Sequence, residues 1–186
     1  MYSHAKSLLV AAALCCAGVA ALPAAAQGPQ GHVTVTARFP IPASVRAEHA
    51  EIHDELVAAT KLTGKTGEAA RNLARVLDPH FQREEELALP PLGLLGPLSR
   101  GEFDPAMLDI IALTDSLRAA MPGMLAEHGQ IRTATIKLGE AARAEKNERA
   151  LMVAEKLKVH AMTEEEVTYP AALLVGDILK ARGVKK

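Results

Sequence analysis

Tryptophan is absent from the 186-residue chain, and aromatic residues of all kinds make up only 3% of it. A core must therefore come from aliphatic side chains, and a hydrophobic share of 49% is enough for one ordinary domain. Ala and Leu dominate that share, and both are strong helix formers. A charge surplus is missing too: 21 Lys and Arg stand against 22 Asp and Glu, a formal net charge of −1. No basic face is available for a nucleic-acid partner. Cysteine is nearly absent, with Cys15 and Cys16 the only two.

Both cysteines lie in a segment that reads as removable. Lys6 follows a short polar start, an uncharged apolar run covers residues 8–22, and Ala24-Ala25-Ala26 precede Gln27. This is the basic region, apolar region and small-residue cleavage site of a secretory signal peptide, here residues 1–26. A membrane anchor would need a longer apolar run, and Pro23 closes this one. A lipid-modified cysteine would need a small residue before it and a polar run after it. Leu14 precedes Cys15, and Ala17-Gly18-Val19-Ala20 follow Cys16. The expectation is a periplasmic or secreted mature chain with no membrane span. It would lack a disulfide framework and any thiolate ligand for a metal. Removing Lys6 would leave 20 basic against 22 acidic residues, a net of −2.

Residues 27–43 read as an extended arm, rich in Gly and Pro around the alternating run His32-Val33-Thr34-Val35-Thr36. The remainder, residues 44–183, reads as helices. Ser44 is a candidate N-cap for a first helix over about 45–62. A loop over 63–67 precedes a second helix over about 68–89. A break rich in Pro, Gly and Leu leads to a third over about 105–144, which Pro122 and Gly123 should kink or divide. A fourth covers about 146–169, and a short fifth segment follows Pro170 to about residue 180. Four long helices with short connections predict an all-α, antiparallel, up-down four-helix bundle.

The chain repeats itself within that bundle. His80-Phe81-Gln82-Arg83-Glu84-Glu85-Glu86 with Pro90 matches His160-Ala161-Met162-Thr163-Glu164-Glu165-Glu166 with Pro170, the His, the triple Glu and the Pro keeping the same offsets. Glu48-His49-Ala50-Glu51-Ile52 matches Glu127-His128-Gly129-Gln130-Ile131 at nearly the same separation along the chain. A two-helix unit is thus written twice, each copy carrying one His on its first helix and a His-x-x-x-Glu on its second. Two such hairpins about a pseudo-two-fold axis bring four helices to one centre.

Residues at i and i+4 share a helix face one turn apart. His80 with Glu84, and His160 with Glu164, can therefore each aim an imidazole and a carboxylate at one point, with His49 and His128 adding one imidazole each. Apolar neighbours such as Leu73, Leu77, Phe81 and Ile131 place these groups on core-facing stripes, where unpartnered polar groups are costly. A shared cation removes much of that cost. Imidazole suits iron, zinc and copper, while carboxylate favours oxidised iron and manganese, so the mixture points first to iron. Six protein ligands fit two ions better than one. A lone His-x-x-x-Glu is commonly a surface pair and a triple Glu a solvated face; only the duplication argues otherwise.

Over about residues 45–174 these features resemble the hemerythrin-like, or HHE cation-binding, family. The resemblance implies a four-helix bundle holding a non-haem, usually di-iron, centre that carries or senses oxygen, responds to nitric oxide or oxidative stress, or senses or stores iron. Oxygen-carrying members bear two histidines four residues apart on the third helix; here the residue four after His128 is Arg132, and a guanidinium does not bind metals. His53, four residues after His49, is the candidate replacement, with a surface histidine the alternative. Arg132 is expected to pair with Glu85 or Glu165 beside the ligands. Either Glu164 or Glu165 supplies the fourth-helix carboxylate, and the symmetry with Glu84 favours Glu164. Tyr169, just past the motif, reads as a bundle-end aromatic or a redox-active bystander.

The expected metal ligands are His49, His53, His80, Glu84, His128, His160 and Glu164. The expected role is a metal-binding protein with a small diatomic ligand. The alternatives are a di-iron enzyme acting on peroxide or nitric oxide, and a zinc or metal-free bundle serving structure or partner binding.

Overall fold

The structure, a computed structural model, describes residues 39–183; the expected signal peptide and most of the expected arm lie outside these. Among the described residues there are no strands, and no helix is long and apolar enough to cross a membrane. Four long helical segments carry the fold. The first is α1 (Ala43–Thr60). The second is α2 (Gly64–Arg83), extended by a π turn at Glu84–Ala88. A 3₁₀ turn (Pro90–Leu94), a short α3 (Leu95–Ser99) and a further 3₁₀ turn (Pro105–Asp109) connect it to α4 (Ile110–Ala144). The fourth segment is α5 (Glu148–Thr163), a second π turn (Glu164–Thr168) and α6 (Tyr169–Gly183), which run on from one another.

α1 packs on α2 and α5, and α4 packs on the same two, which closes a ring of four. Neighbours run in opposite directions: Lys156 on α5 reaches Glu51 and Glu55 on α1 while His160, further along α5, lies by Glu48, and residues near 65 on α2 lie by Glu145 while His80 lies by His128. Aliphatic side chains fill the centre of the ring on one side of the histidines, with Ile52, Leu56, Leu73, Leu77, Leu138 and Leu157 all buried. On the other side Leu89, Leu117, Met124 and Tyr169 form a second cluster.

Several expected boundaries shift, each for a physical reason. Ser44 is not the N-cap: α1 starts at Ala43, with Pro42 before it holding an extended ψ of 134° and accepting a hydrogen bond from Arg46 N–H. The end of the expected arm docks on the bundle. Ile41 packs against the second cluster, and the Pro40 carbonyl lies so near Gly93 that a Cβ there would come within 2.5 Å of it.

The expected loop at 63–67 is shorter, because α2 begins at Gly64. Its first-turn amides on Lys65 and Thr66 donate to the Glu145 carboxylate at 2.8 and 3.1 Å. Gly64, at φ +73°, is needed there, since a Cβ would meet that carboxylate at 2.6 Å. The cap comes from 80 positions away, beyond any local signal.

Pro122 neither divides nor ends α4. It faces solvent, so water can satisfy the carbonyl its missing N–H leaves free. Pro170 does not end the fourth segment either. The second π turn shifts the ladder, so that Tyr169 N–H bonds the Glu164 carbonyl and the helix resumes through Pro170. The matching Pro90 does close its helix, because Pro91, Gly93 and Pro97 follow it where Ala171, Ala172 and Leu173 follow Pro170.

Candidate metal centre

Six of the expected residues meet at the middle of the ring. His49 comes from α1, His80 from the last turn of α2, His128 from the middle of α4 and His160 from the last turn of α5. Glu84 and Glu164 each open a π turn. All six are buried, none more than 5% exposed. Single π turns inside helices often mark functional positions, and these two sit at matching places in the repeat.

The side chains sort into two groups of four, and within each group the ligand atoms all lie within 4.8 Å of one another. One is His49, Glu84, His160 and Glu164; the other is His80, Glu84, His128 and Glu164. Both carboxylates belong to both groups, so two ions held there would share them. Each group takes one histidine from each copy of the repeat, and the pseudo-two-fold that exchanges the copies exchanges the groups. The converging nitrogens are Nε2: His160 Nε2 is 3.0 Å and His49 Nε2 3.5 Å from Glu164 Oε1. In the other group, His80 Nε2 is 3.3 Å from Glu84 Oε1 and His128 Nε2 is 3.4 Å from Glu164 Oε2.

The outward-facing Nδ1 atoms meet a ring of carboxylates that obeys the same symmetry. His80 Nδ1 donates to Glu127 at 2.9 Å, and His160 Nδ1 has Glu48 at 3.3 Å. His128 Nδ1 donates to Glu165 at 2.9 Å, and His49 Nδ1 has Glu85 at 4.0 Å. An ionised carboxylate only accepts, so the 2.9 Å contacts at His80 and His128 place a proton on Nδ1, the arrangement that turns Nε2 toward a metal. Arg83 pairs with Glu127, and Arg132 holds Glu165 at 3.0 Å. Arg132 thus stands behind a ligand, on one of the two carboxylates expected for it. Glu165 is likewise a partner of His128, while Glu164 is the carboxylate at the centre.

The electrostatics show how far these groups depend on one another. Burial would lower His160, but the carboxylates of Glu164, Glu84 and Glu48 outweigh it and push it up to about 9. Burial is likewise outweighed at His80, where Glu84 and Glu127 raise it above the usual histidine range. Burial raises Glu84, with the facing Glu164 adding to it. Glu164 is also buried, yet the imidazoles of His128, His160 and His49 around it hold it well below the usual carboxylate range.

A cation fits this donor set on independent grounds. His49 Nε2, His160 Nε2, Glu84 Oε2 and Glu164 Oε1 are buried and none makes a well-aligned hydrogen bond, although His160 Nε2 and Glu164 Oε1 lie 3.0 Å apart. Each such atom would ordinarily cost free energy, on the order of 1–3 kcal/mol. All four belong to one group and point at one place.

His53 stays outside both groups. Its side chain is 49% exposed and its nearest partner is Asp54 at 3.7 Å. The position four after His49 corresponds in the repeat to Arg132, and both side chains sit at the rim. Tyr169 is the converse case. It is wholly buried, its hydroxyl donates to Glu84, and its oxygen lies 3.1 Å from His128 Nε2 and 3.4 Å from His80 Nε2. An uninterrupted α-helix would turn position 169 away from 160 and 164; the π turn brings it back. The one sequence signal for that turn was the Pro repeated at the same offset after each Glu. Two surface clefts reach the centre, one lined by His80, Arg83 and Glu127, the other, of about 400 Å³, by His49, His53, Phe81 and Glu85.

No family model, curated protein or solved structure matches this chain.

Proposed function

We propose that the chain is an exported protein of the hemerythrin-like kind, whose centre is a pair of non-haem iron ions that bind or respond to oxygen, nitric oxide or iron. The observation that carries this reading is the pair of two-His, two-Glu groups sharing both carboxylates. Sharing suits two like ions held close together, and mixed imidazole and carboxylate ligation without thiolate suits iron over softer metals. His49 and His160 would hold one ion, His80 and His128 the other, and Glu84 and Glu164 both. Iron so held would supply reversible binding of a small ligand or one-electron chemistry. The protein's part is to orient the imidazoles of His160, His80 and His128 through Glu48, Glu127 and Glu165, and to keep water from most of the site by burial. Four protein atoms per ion leave coordination positions free for a diatomic ligand. The export part of the reading rests on the pattern of residues 1–26.

Metal content and the visible spectrum of aerobically purified protein test this reading. It expects close to two irons per chain and a spectrum that responds to oxygen or nitric oxide. The double variant His80→Ala, His160→Ala, which strips one ligand from each group, should lose most of the metal. Colourless protein carrying zinc or nothing after iron supplementation would falsify the iron reading. Sustained turnover of peroxide or nitric oxide would make the protein an enzyme rather than a carrier or sensor.

A further inference from the structure

Two aromatic residues break the pseudo-symmetry next to the central histidines. Phe81, whose counterpart in the second copy of the repeat is Ala161, stacks on the His49 ring with centroids 4.3 Å apart. It gives the His49–His160 group an apolar wall and no donor atom. Tyr169, whose counterpart in the first copy is Leu89, puts an oxygen into the His80–His128 group.

That oxygen stands where a ligand would. Donor atoms bound to one ion at about 2.0–2.2 Å lie roughly 3–3.5 Å apart around it. The Tyr169 hydroxyl lies 3.1 Å from His128 Nε2 and 3.4 Å from His80 Nε2, and it touches Glu84 as well. Its ring packs against His128 at a centroid distance of 5.6 Å, inclined by 23°, and the residue is sealed from solvent. A structural aromatic at the end of a core needs no hydroxyl. Leu89 occupies the equivalent place and is just as buried without one.

We propose that Tyr169 is a metal ligand: its phenol oxygen joins His80, His128, Glu84 and Glu164 around one ion, and no equivalent atom serves the ion at His49 and His160. The inference rests on the two-metal reading above. On binding, the phenolic O–H bond breaks, an oxygen–metal bond forms and the proton leaves to solvent. The cation supplies the opposite charge that a buried phenolate requires. The centre would thereby be unsymmetrical, with five protein donors at one position and four at the other, where Phe81 stacks on the His49 ring.

The test is clean because Tyr169 is the only tyrosine after Tyr2. Full-length protein loaded with iron and oxidised to the ferric state should show a visible phenolate-to-iron charge-transfer band and tyrosinate vibrations by resonance Raman. Tyr169→Phe keeps the ring and should abolish both signals while retaining iron. Iron-loaded ferric protein without the band, or a band that survives in Tyr169→Phe, overturns the inference and leaves the two-metal reading standing. Protein that binds no iron overturns both.

Discussion

The Nδ1 of His80 lies 2.9 Å from a carboxylate oxygen of Glu127, a residue 47 positions further along and on another helix. That contact decides which nitrogen of His80 faces inward. It also explains the Glu that precedes each first-helix histidine: Glu127 serves His80 rather than its neighbour His128, and Glu48 serves His160 rather than His49.

Replacing Glu127 with Gln should leave the fold intact and weaken the hold on the ion at His80. Loss of such an outer carboxylate typically costs about 10–100-fold in metal affinity. Competition with a chelator of known affinity measures it. Burial would raise Glu127, but His80 and Arg83 hold its carboxyl below the usual range, so it is ionised at neutral pH and the substitution removes a real charge.

Glu84 belongs to both groups and His53 to neither. Glu84→Ala should therefore release both ions, His49→Ala chiefly one, and His53→Ala none. Metal-to-protein ratios after gel filtration separate the three. Loss of an ion on changing His53 would return that residue to the ligand set.

Chelating the metal should lower the melting temperature. A ligand that binds only the folded state at about 100 times its dissociation constant contributes roughly 2.7 kcal/mol, which for a domain of this size is a fall of roughly 5–10 °C when it is removed. Differential scanning fluorimetry with and without chelator measures this. An unchanged melting temperature in protein shown to carry metal would contradict the buried, shared site.

Glu145 holds the first turn of α2, and its hydrogen bonds with Thr66 and Lys65 draw its carboxyl below the usual range. A carboxyl depressed in the folded state stabilises the fold above its unfolded pKa and loses that contribution as pH falls through its folded value. Glu145→Ala should thus lower the melting temperature at neutral pH. Below about pH 4 the wild type loses the same contact, and the difference between the two should shrink. Thermal melts across that range give the answer.

The sequence by itself determined the four helices, the repeat and six residues of the centre. Their evidence is local: i and i+4 share a helix face whatever the rest of the chain does, and a motif written twice announces a pseudo-symmetric partner. Other features depended on contacts between residues far apart in sequence, and only the tertiary structure decided them. It paired each histidine with one from the other copy, and it assigned Glu48, Glu85, Glu127 and Glu165 to imidazoles on other helices. It put His53 at the rim, where its exposed side chain meets only Asp54. Finally, it turned Tyr169 inward, because one residue of helical slip after Glu164 rotates everything beyond it, and helical periodicity read along a sequence assumes no slip.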